Sequence, residues 1–230
     1  MLHLDHLTLT QDGFSVTADW SLAAGARLAL LGPSGAGKST LLMGLAGFII
    51  PSAGRVLWQG KDLATLSPAQ RPVSILFQDQ NLFAHLTLAQ NLGLAVHPRL
   101  ALSTADRARV EAVLKRLGLA GYGPRKPASL SGGQLGRAAL GRVLLQARPI
   151  LLLDEPFAAL GPALKADLLG LVSELAAENG TTVVLVTHDP SDARRFADVV
   201  GMVHDGVADA PVATQSIFAD PPPALRAYLG

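Results

Sequence analysis

Cysteine is missing from all 230 residues, which excludes disulfides, thiolate metal sites and a thiol nucleophile and makes a reducing compartment the default expectation. Charge is also sparse. Charged residues are 16% of the chain, and 19 Lys and Arg face 18 Asp and Glu for a formal net charge of +1, so the strongly basic footprint of a nucleic-acid partner is absent. Long apolar runs are lacking too. The charge-free stretch 39–54 is interrupted by glycines and Pro51 and is shorter than the ~20 apolar residues that span a bilayer, so no transmembrane helix is predicted. Residues 1–6, Met-Leu-His-Leu-Asp-His, have neither the basic start nor the apolar core of a secretion signal, since Asp5 interrupts them; the chain is expected to stay where it is made.

What the sequence does hold is apolar. Hydrophobic residues make up 49% and the mean hydropathy is +0.33, which argues against disorder and against a coiled coil. The length suits one large α/β domain, or a domain carrying a subdomain, and not two large independent cores. An apolar surplus without a membrane span points either to a subunit that buries surface against partners or simply to a composition rich in alanine and leucine.

Strand and helix signals alternate along the chain. Leu2, Leu4, Leu7 and Leu9 suggest an edge strand with an irregular beat; Gln11-Asp12-Gly13 is turn chemistry; residues 14–18 return as a hairpin partner. Buried strands are expected at 27–31, 73–77, 150–153, 182–187 and, last, 199–203, with helices at 39–46 and 162–179 stopped by Gly47 and Gly180. Between Gln80 and Gln146 the character becomes helical, with helices predicted at 87–94, 103–117 and 135–146. Buried parallel strands with helical crossovers account for this order.

The strongest chemical signal is Gly32-Pro33-Ser34-Gly35-Ala36-Gly37-Lys38-Ser39, followed by Thr40, between a predicted strand and a predicted helix. It matches G-x-x-x-x-G-K-[ST]. Glycines let backbone N–H groups turn toward phosphate oxygens, the helix adds the positive end of its dipole, Lys38 can reach the β- and γ-phosphates, and the Ser39 hydroxyl can ligate Mg²⁺. A nucleoside triphosphate is the expected ligand. A second signal is the apolar run 150–153 ending in Asp154-Glu155. A buried strand carries its last side chains to the carboxyl edge of the sheet, where the phosphate loop also lies. Asp154 is then a Mg²⁺ ligand, direct or through water, and Glu155 accepts a proton from, or orients, the attacking water. A third signal, Leu130-Ser131-Gly132-Gly133-Gln134 ahead of a helix, offers another anion-binding helix start.

These motifs, in this order, resemble the ATP-binding cassette (ABC) ATPases over almost the whole chain. The resemblance implies an α/β P-loop NTPase with a RecA-like core, an N-terminal antiparallel β-subdomain and an inserted α-helical subdomain: core 1–79 and 147–230, helical part about 80–146. It makes Gln78 the Q-loop glutamine and a further Mg²⁺ ligand, Ser131 to Gln134 the signature peptide, Glu155 the catalytic glutamate, His188 in Thr187-His188-Asp189 the γ-phosphate switch, and Phe14 the candidate for stacking on adenine. It also implies a homodimer in which each ATP lies between the phosphate loop of one copy and the signature of the other. Membrane permease subunits are expected in the groove beside Gln78, with a periplasmic substrate-binding protein acting indirectly. The chain is placed peripherally on the cytoplasmic face of the bacterial inner membrane.

Within that family, residues 71–93 together with Ala46-Gly47-Phe48 look like the ATP-binding subunits of bacterial thiamine importers. Subunits for iron(III), molybdate, sulfate or polyamine share the same chemistry. A soluble ABC ATPase acting on DNA or ribosomes is disfavoured by the missing basic stripe and coiled-coil insertion. Two departures stand out: Gly161 occupies the position where the family's D-loop usually has Asp, and Gly136 and Gly141 follow the signature where relatives often carry Gln and Ala. The latter pair reads as drift within a helix, at about 1 kcal/mol per glycine.

Overall fold

The computed structural model describes residues 1–79 and 82–230; Gln80, the expected start of the helical insert, lies outside them. Leucines at 2, 4, 7 and 9 break the two-residue beat of a strand once, and the backbone resolves the conflict with a bulge. Strand β1 (Leu2–Gln11) shifts register between Leu4 and Leu7, where His6 adopts φ +45°. The added residue restores the phase, so all four leucines are at most 1% exposed. Gly54 of β4 (Ala53–Trp58) faces this bulge, and a Cβ there would stand 2.2 Å from the His6 carbonyl oxygen.

The expected edge position of β1 is corrected by its pairing. It lies between β2 (Phe14–Leu22) and β4, antiparallel to both, while β5 (Lys61–Asp62) forms the edge. Strand β4 is not announced by its sequence, because Ala53-Gly54-Arg55 has little β-propensity; its place is set by pairing with β1.

Strands β3 (Arg27–Leu31), β6 (Val73–Leu76), β7 (Ile150–Asp154), β8 (Thr182–Val186) and β9 (Val199–His204) run parallel in the order β9-β3-β8-β7-β6. Elements cover both faces, which is why their sequences are continuous apolar runs. Short β10 (Val207–Ala208) joins the two sheets by pairing parallel with β2 and antiparallel with β9, and β11 (Val212–Ala213) also pairs with β9. Residues 199–203 are therefore not the last strand; two-residue strands carry no periodicity to read.

Helix α1 (Lys38–Ala46) lies between the two sheets, with Leu41, Leu42 and Leu45 in the core that also holds Trp20 and Trp58. Helices α2 (Leu88–Gly93), α3 (Thr104–Arg116) and α4 (Gly132–Gln146) pack on one another, and each starts with a reciprocal capping box, from Thr87, Ser103 and Ser131. Helix α4 thus begins three residues before the expected 135. Gly141 is not drift: a Cβ there would meet Leu117 Cδ1 at 2.7 Å and Leu92 Cδ2 at 3.1 Å, so α4 needs a small residue at this helix crossing. Helices α5 (Pro162–Asn179), α6 (Pro190–Phe196), α7 (Thr214–Ala219) and α8 (Pro223–Leu229) complete the chain, and Leu168, Leu175, Phe196, Ile217 and Leu225 join the second core. Among the described residues no helix is long and apolar enough to cross a membrane.

Candidate functional site

Parallel pairing brings four strand ends to one edge of the sheet. Leu76 is in register with Leu153, and Asp154 and Leu30 are each in register with Val186. The segments beginning at Gly32, Gln78, Glu155 and Thr187 therefore leave the sheet on the same side.

Residues 32–37 make the loop between β3 and α1. Gly32, Gly35 and Gly37 have φ of +150°, +78° and +102°, so the chain winds through conformations that side chains resist. Space is as restrictive as torsion here. A Cβ on Gly32 would stand 2.1 Å from the Val203 carbonyl oxygen, and one on Gly37 2.2 Å from Val16 Cγ2 and 2.9 Å from the Phe14 ring; over Gly35 there is open space. Lys38 is only 6% exposed and curls back across the loop, its Nζ donating to the carbonyl oxygens of Gly32 at 2.7 Å and Pro33 at 2.8 Å. Burial lowers its pKa, against the attraction of Glu155 and Asp154. Among the described residues no carboxylate forms an ion pair with it. A buried cation met only by carbonyl dipoles, beside an open loop at a helix N-terminus, suits an anionic ligand such as a triphosphate.

Ser39 Oγ donates to Asp154 Oδ1 at 3.1 Å, which ties the phosphate loop to the end of β7. Burial pushes the Asp154 carboxyl up; the Ser39 hydrogen bond opposes this, Glu155 adds to it and Lys38 reduces it. A serine hydroxyl next to a partly desolvated carboxylate is a hard oxygen donor set, and its chemistry fits Mg²⁺. Glu155 follows with φ +42°, its N–H donating to the Val186 carbonyl. Its Oε2 lies 2.9 Å from Nδ1 of His188.

Behind His188 is a network that the sequence did not announce. Thr187 Oγ1 donates to Asp192 Oδ2 at 2.7 Å and accepts from the Asp189 N–H at 3.1 Å; Lys165 of α5 bridges Asp189 at 3.1 Å and Asp192 at 2.6 Å. The Tyr228 hydroxyl of α8 donates to the His188 carbonyl oxygen at 2.7 Å. Partners 24 to 40 residues apart carry no local spacing signal, although Thr-His-Asp marks one side of the network. A cavity of about 620 Å³ runs along α5 and α6 and is lined by Lys165, Asp189 and Asp192 rather than by the phosphate loop, whose Pro33, Ser34 and Gly35 are exposed.

Gln78 is exposed, two residues past the end of β6. Phe14 is 40% exposed and lies against Gly37 of the loop. Ser131 stands apart: among the described residues no hydrogen bond or ion pair links 131–134 to 32–40. Its hydroxyl caps α4 by accepting from the Gln134 N–H at 3.4 Å, and Gln134 Oε1 accepts from the Ser131 N–H at 3.0 Å. Gly132 and Gly133 give room to Leu160 and Leu164, since Cβ atoms there would stand 3.0 and 2.6 Å from those side chains. Gly161 caps α5 with no side chain to contribute.

A family model described as ABC transporter matches residues 16–158. The chain is 65% identical to the thiamine import ATP-binding protein ThiQ of Cereibacter sphaeroides across the full length of both. Among solved structures, the dimeric post-hydrolysis state of the ATP-binding cassette MJ0796 bound to ADP and phosphate superimposes with a TM-score of 0.80 at 30% identity, covering 93% of this chain and 99% of that one. The cbiO1 protein of Clostridium perfringens, part of the ABC transporter complex cbiONQ, gives a TM-score of 0.83 at 28% identity, covering 95% and 90%.

Proposed function

The chain belongs to the ABC transporter family, and from that premise we propose that it is the ATP-hydrolysing subunit of a membrane importer for thiamine or its phosphate esters. The observation that carries the substrate is the 65% identity, end to end, with a thiamine import ATP-binding protein. The site supplies the chemistry. Residues 32–40 bind the triphosphate, with Lys38 supplying the positive charge. Mg²⁺, when bound, would be held by Ser39, Asp154 and Gln78 and would offset phosphate charge. Glu155 takes the proton of the attacking water, and His188, next to it, contacts the γ-phosphate and keeps the carboxylate in place. Phe14 stacks on the adenine.

One copy offers only half a site, because Ser131 to Gln134 lie apart from its own phosphate loop. We therefore infer a homodimer in which each signature peptide closes over the partner's nucleotide, a step driven by ATP binding. The helical part, about 80–146, and the core, 1–79 and 147–230, would then move relative to each other as ATP is bound and hydrolysed. Phe48, Ile50 and Phe83 are exposed, and the Phe48 ring lies 6.4 Å from that of Phe77, the neighbour of Gln78; such exposed apolar side chains suit a contact with permease subunits. A periplasmic binding protein acts through the permease, and the subunit sits peripherally on the cytoplasmic face of the inner membrane.

The test is ATP hydrolysis by the complex reconstituted with permease and binding protein, comparing thiamine with iron(III), molybdate and spermidine. Stimulation by thiamine is expected. Stimulation by one of the others and none by thiamine would overturn the substrate and leave the transporter ATPase reading standing.

A further inference from the structure

We propose that Tyr228 of α8 is a positioning residue for hydrolysis, holding the His188 main chain so that the imidazole meets Glu155. The inference rests on the reading of Glu155 and His188 as the hydrolytic pair and extends it to a part of the chain outside the motifs.

The His188 side chain is 57% exposed, against 24% for Glu155. Packing therefore does not wedge the imidazole, and its direction is set by the backbone of residues 187–189 and by its 2.9 Å contact with Glu155. That backbone is fastened on both flanks. Thr187 is held by Asp192, and Asp189 by Lys165. Between them the peptide of His188 itself is held through its carbonyl oxygen, by the Tyr228 hydroxyl at 2.7 Å.

The donor is well anchored. Leu225, one turn earlier in α8, is fully buried, and Phe218 of the preceding helix stacks under Arg194 of α6, whose guanidinium lies 3.8 Å from the ring centroid. Helix α8 thus offers a rigid phenol to the loop that ends β8. Rotation of the His188 peptide would swing Nδ1 away from Glu155, so a hydroxyl at this carbonyl acts on the reacting groups without touching nucleotide. Burial, together with the nearby Glu155 and Asp189 carboxylates, raises the phenol's pKa, which keeps it protonated as a donor.

The test is steady-state ATP hydrolysis by the permease-bound complex with Tyr228→Phe, which removes one oxygen and keeps the ring. Losing a single hydrogen bond in the positioning of the pair predicts a kcat about tenfold lower. The KM for ATP should stay within about twofold and the melting temperature within about 2 °C, so that the loss falls on kcat alone. Arg226→Ala, on the same helix but facing solvent, should leave kcat unchanged. An unchanged kcat in Tyr228→Phe, a fall matched by an equal loss of ATP affinity or stability, or an equal fall in Arg226→Ala would each overturn the proposal. Parallel assays of His188→Ala and Glu155→Gln separate the two levels. Near-normal turnover in either removes the hydrolytic pair itself, whereas inactivity of both beside a normal Tyr228→Phe removes the positioning role alone.

Discussion

A buried ammonium is costly unless something meets its charge, and Lys38, 6% exposed with two carbonyl oxygens as partners, is such a group. In the proposed function a bound triphosphate supplies that compensation. Lys38→Ala should therefore weaken ATP binding by about 10- to 100-fold, the equivalent of a charged hydrogen bond worth roughly 1.5–3 kcal/mol, while the nucleotide-free protein loses no stability. Titration with a fluorescent ATP analogue and thermal melting check the two halves, and unchanged affinity would contradict the assignment. Residues of this kind stand out because their proposed roles rest on short spacings: Gly32 to Ser39, or Asp154 beside Glu155. Lys165, Asp192 and Tyr228 were not. Their partners come together only when α5, α6 and α8 fold around the end of β8, and no local pattern encodes such a meeting.

At the scale of elements caps are local chemistry, so Ser103 announces α3, whereas α4 begins three residues before the expected 135 and α6, α7 and α8 were not expected from the sequence. Thr87, Ser103 and Ser131 each donate to and receive from a residue three positions on. Gly161 is the exception, a helix cap with no capping side chain. Its φ of −64° and the free space around a Cβ allow Asp without strain. Gly161→Asp should raise stability by a few tenths of a kcal/mol through capping and alter the cooperativity of hydrolysis more than ATP affinity; an identical Hill coefficient in the assembled transporter would make the position neutral. The loop after β8 carries a pH signature. Burial pushes the Asp189 carboxyl up, but hydrogen bonds from Ser191 and Lys165 outweigh it and bring the pKa to about 2 from 3.8. A depressed carboxylate stabilises the folded state above its unfolded pKa and loses that contribution as pH falls toward its folded value. The stability gap between wild type and Asp189→Asn in urea should be constant from pH 7 to about 5, shrink below about 4 and vanish near 2. A gap independent of pH would show that the network does not hold the carboxylate.

For the whole molecule, the parallel sheet was legible and its closure was not. Apolar runs such as 150–153 and 182–186 announce buried strands, but β10 pairs Val207 with Thr17 across 190 residues, and neither partner signals the other. The leucine beat of β1 likewise showed a strand but not that the bulge at His6 would let it sit between two partners. Assembly lies at this scale as well. Glu155→Gln with MgATP should run as a dimer on sizing chromatography, and adding Ser131→Arg should return it to monomer by placing bulk and charge where the partner's γ-phosphate must sit; a dimer in the double variant would remove the trans role of the signature. The most direct measurement of the account is uptake of labelled thiamine by proteoliposomes holding the permease, its binding protein and this chain, with MgATP on the ATPase side. Wild type should accumulate thiamine only with ATP present, and Glu155→Gln should fall by about 10²- to 10⁴-fold, as expected for loss of a general base. No uptake by the wild-type complex, or equal uptake by both, would contradict it.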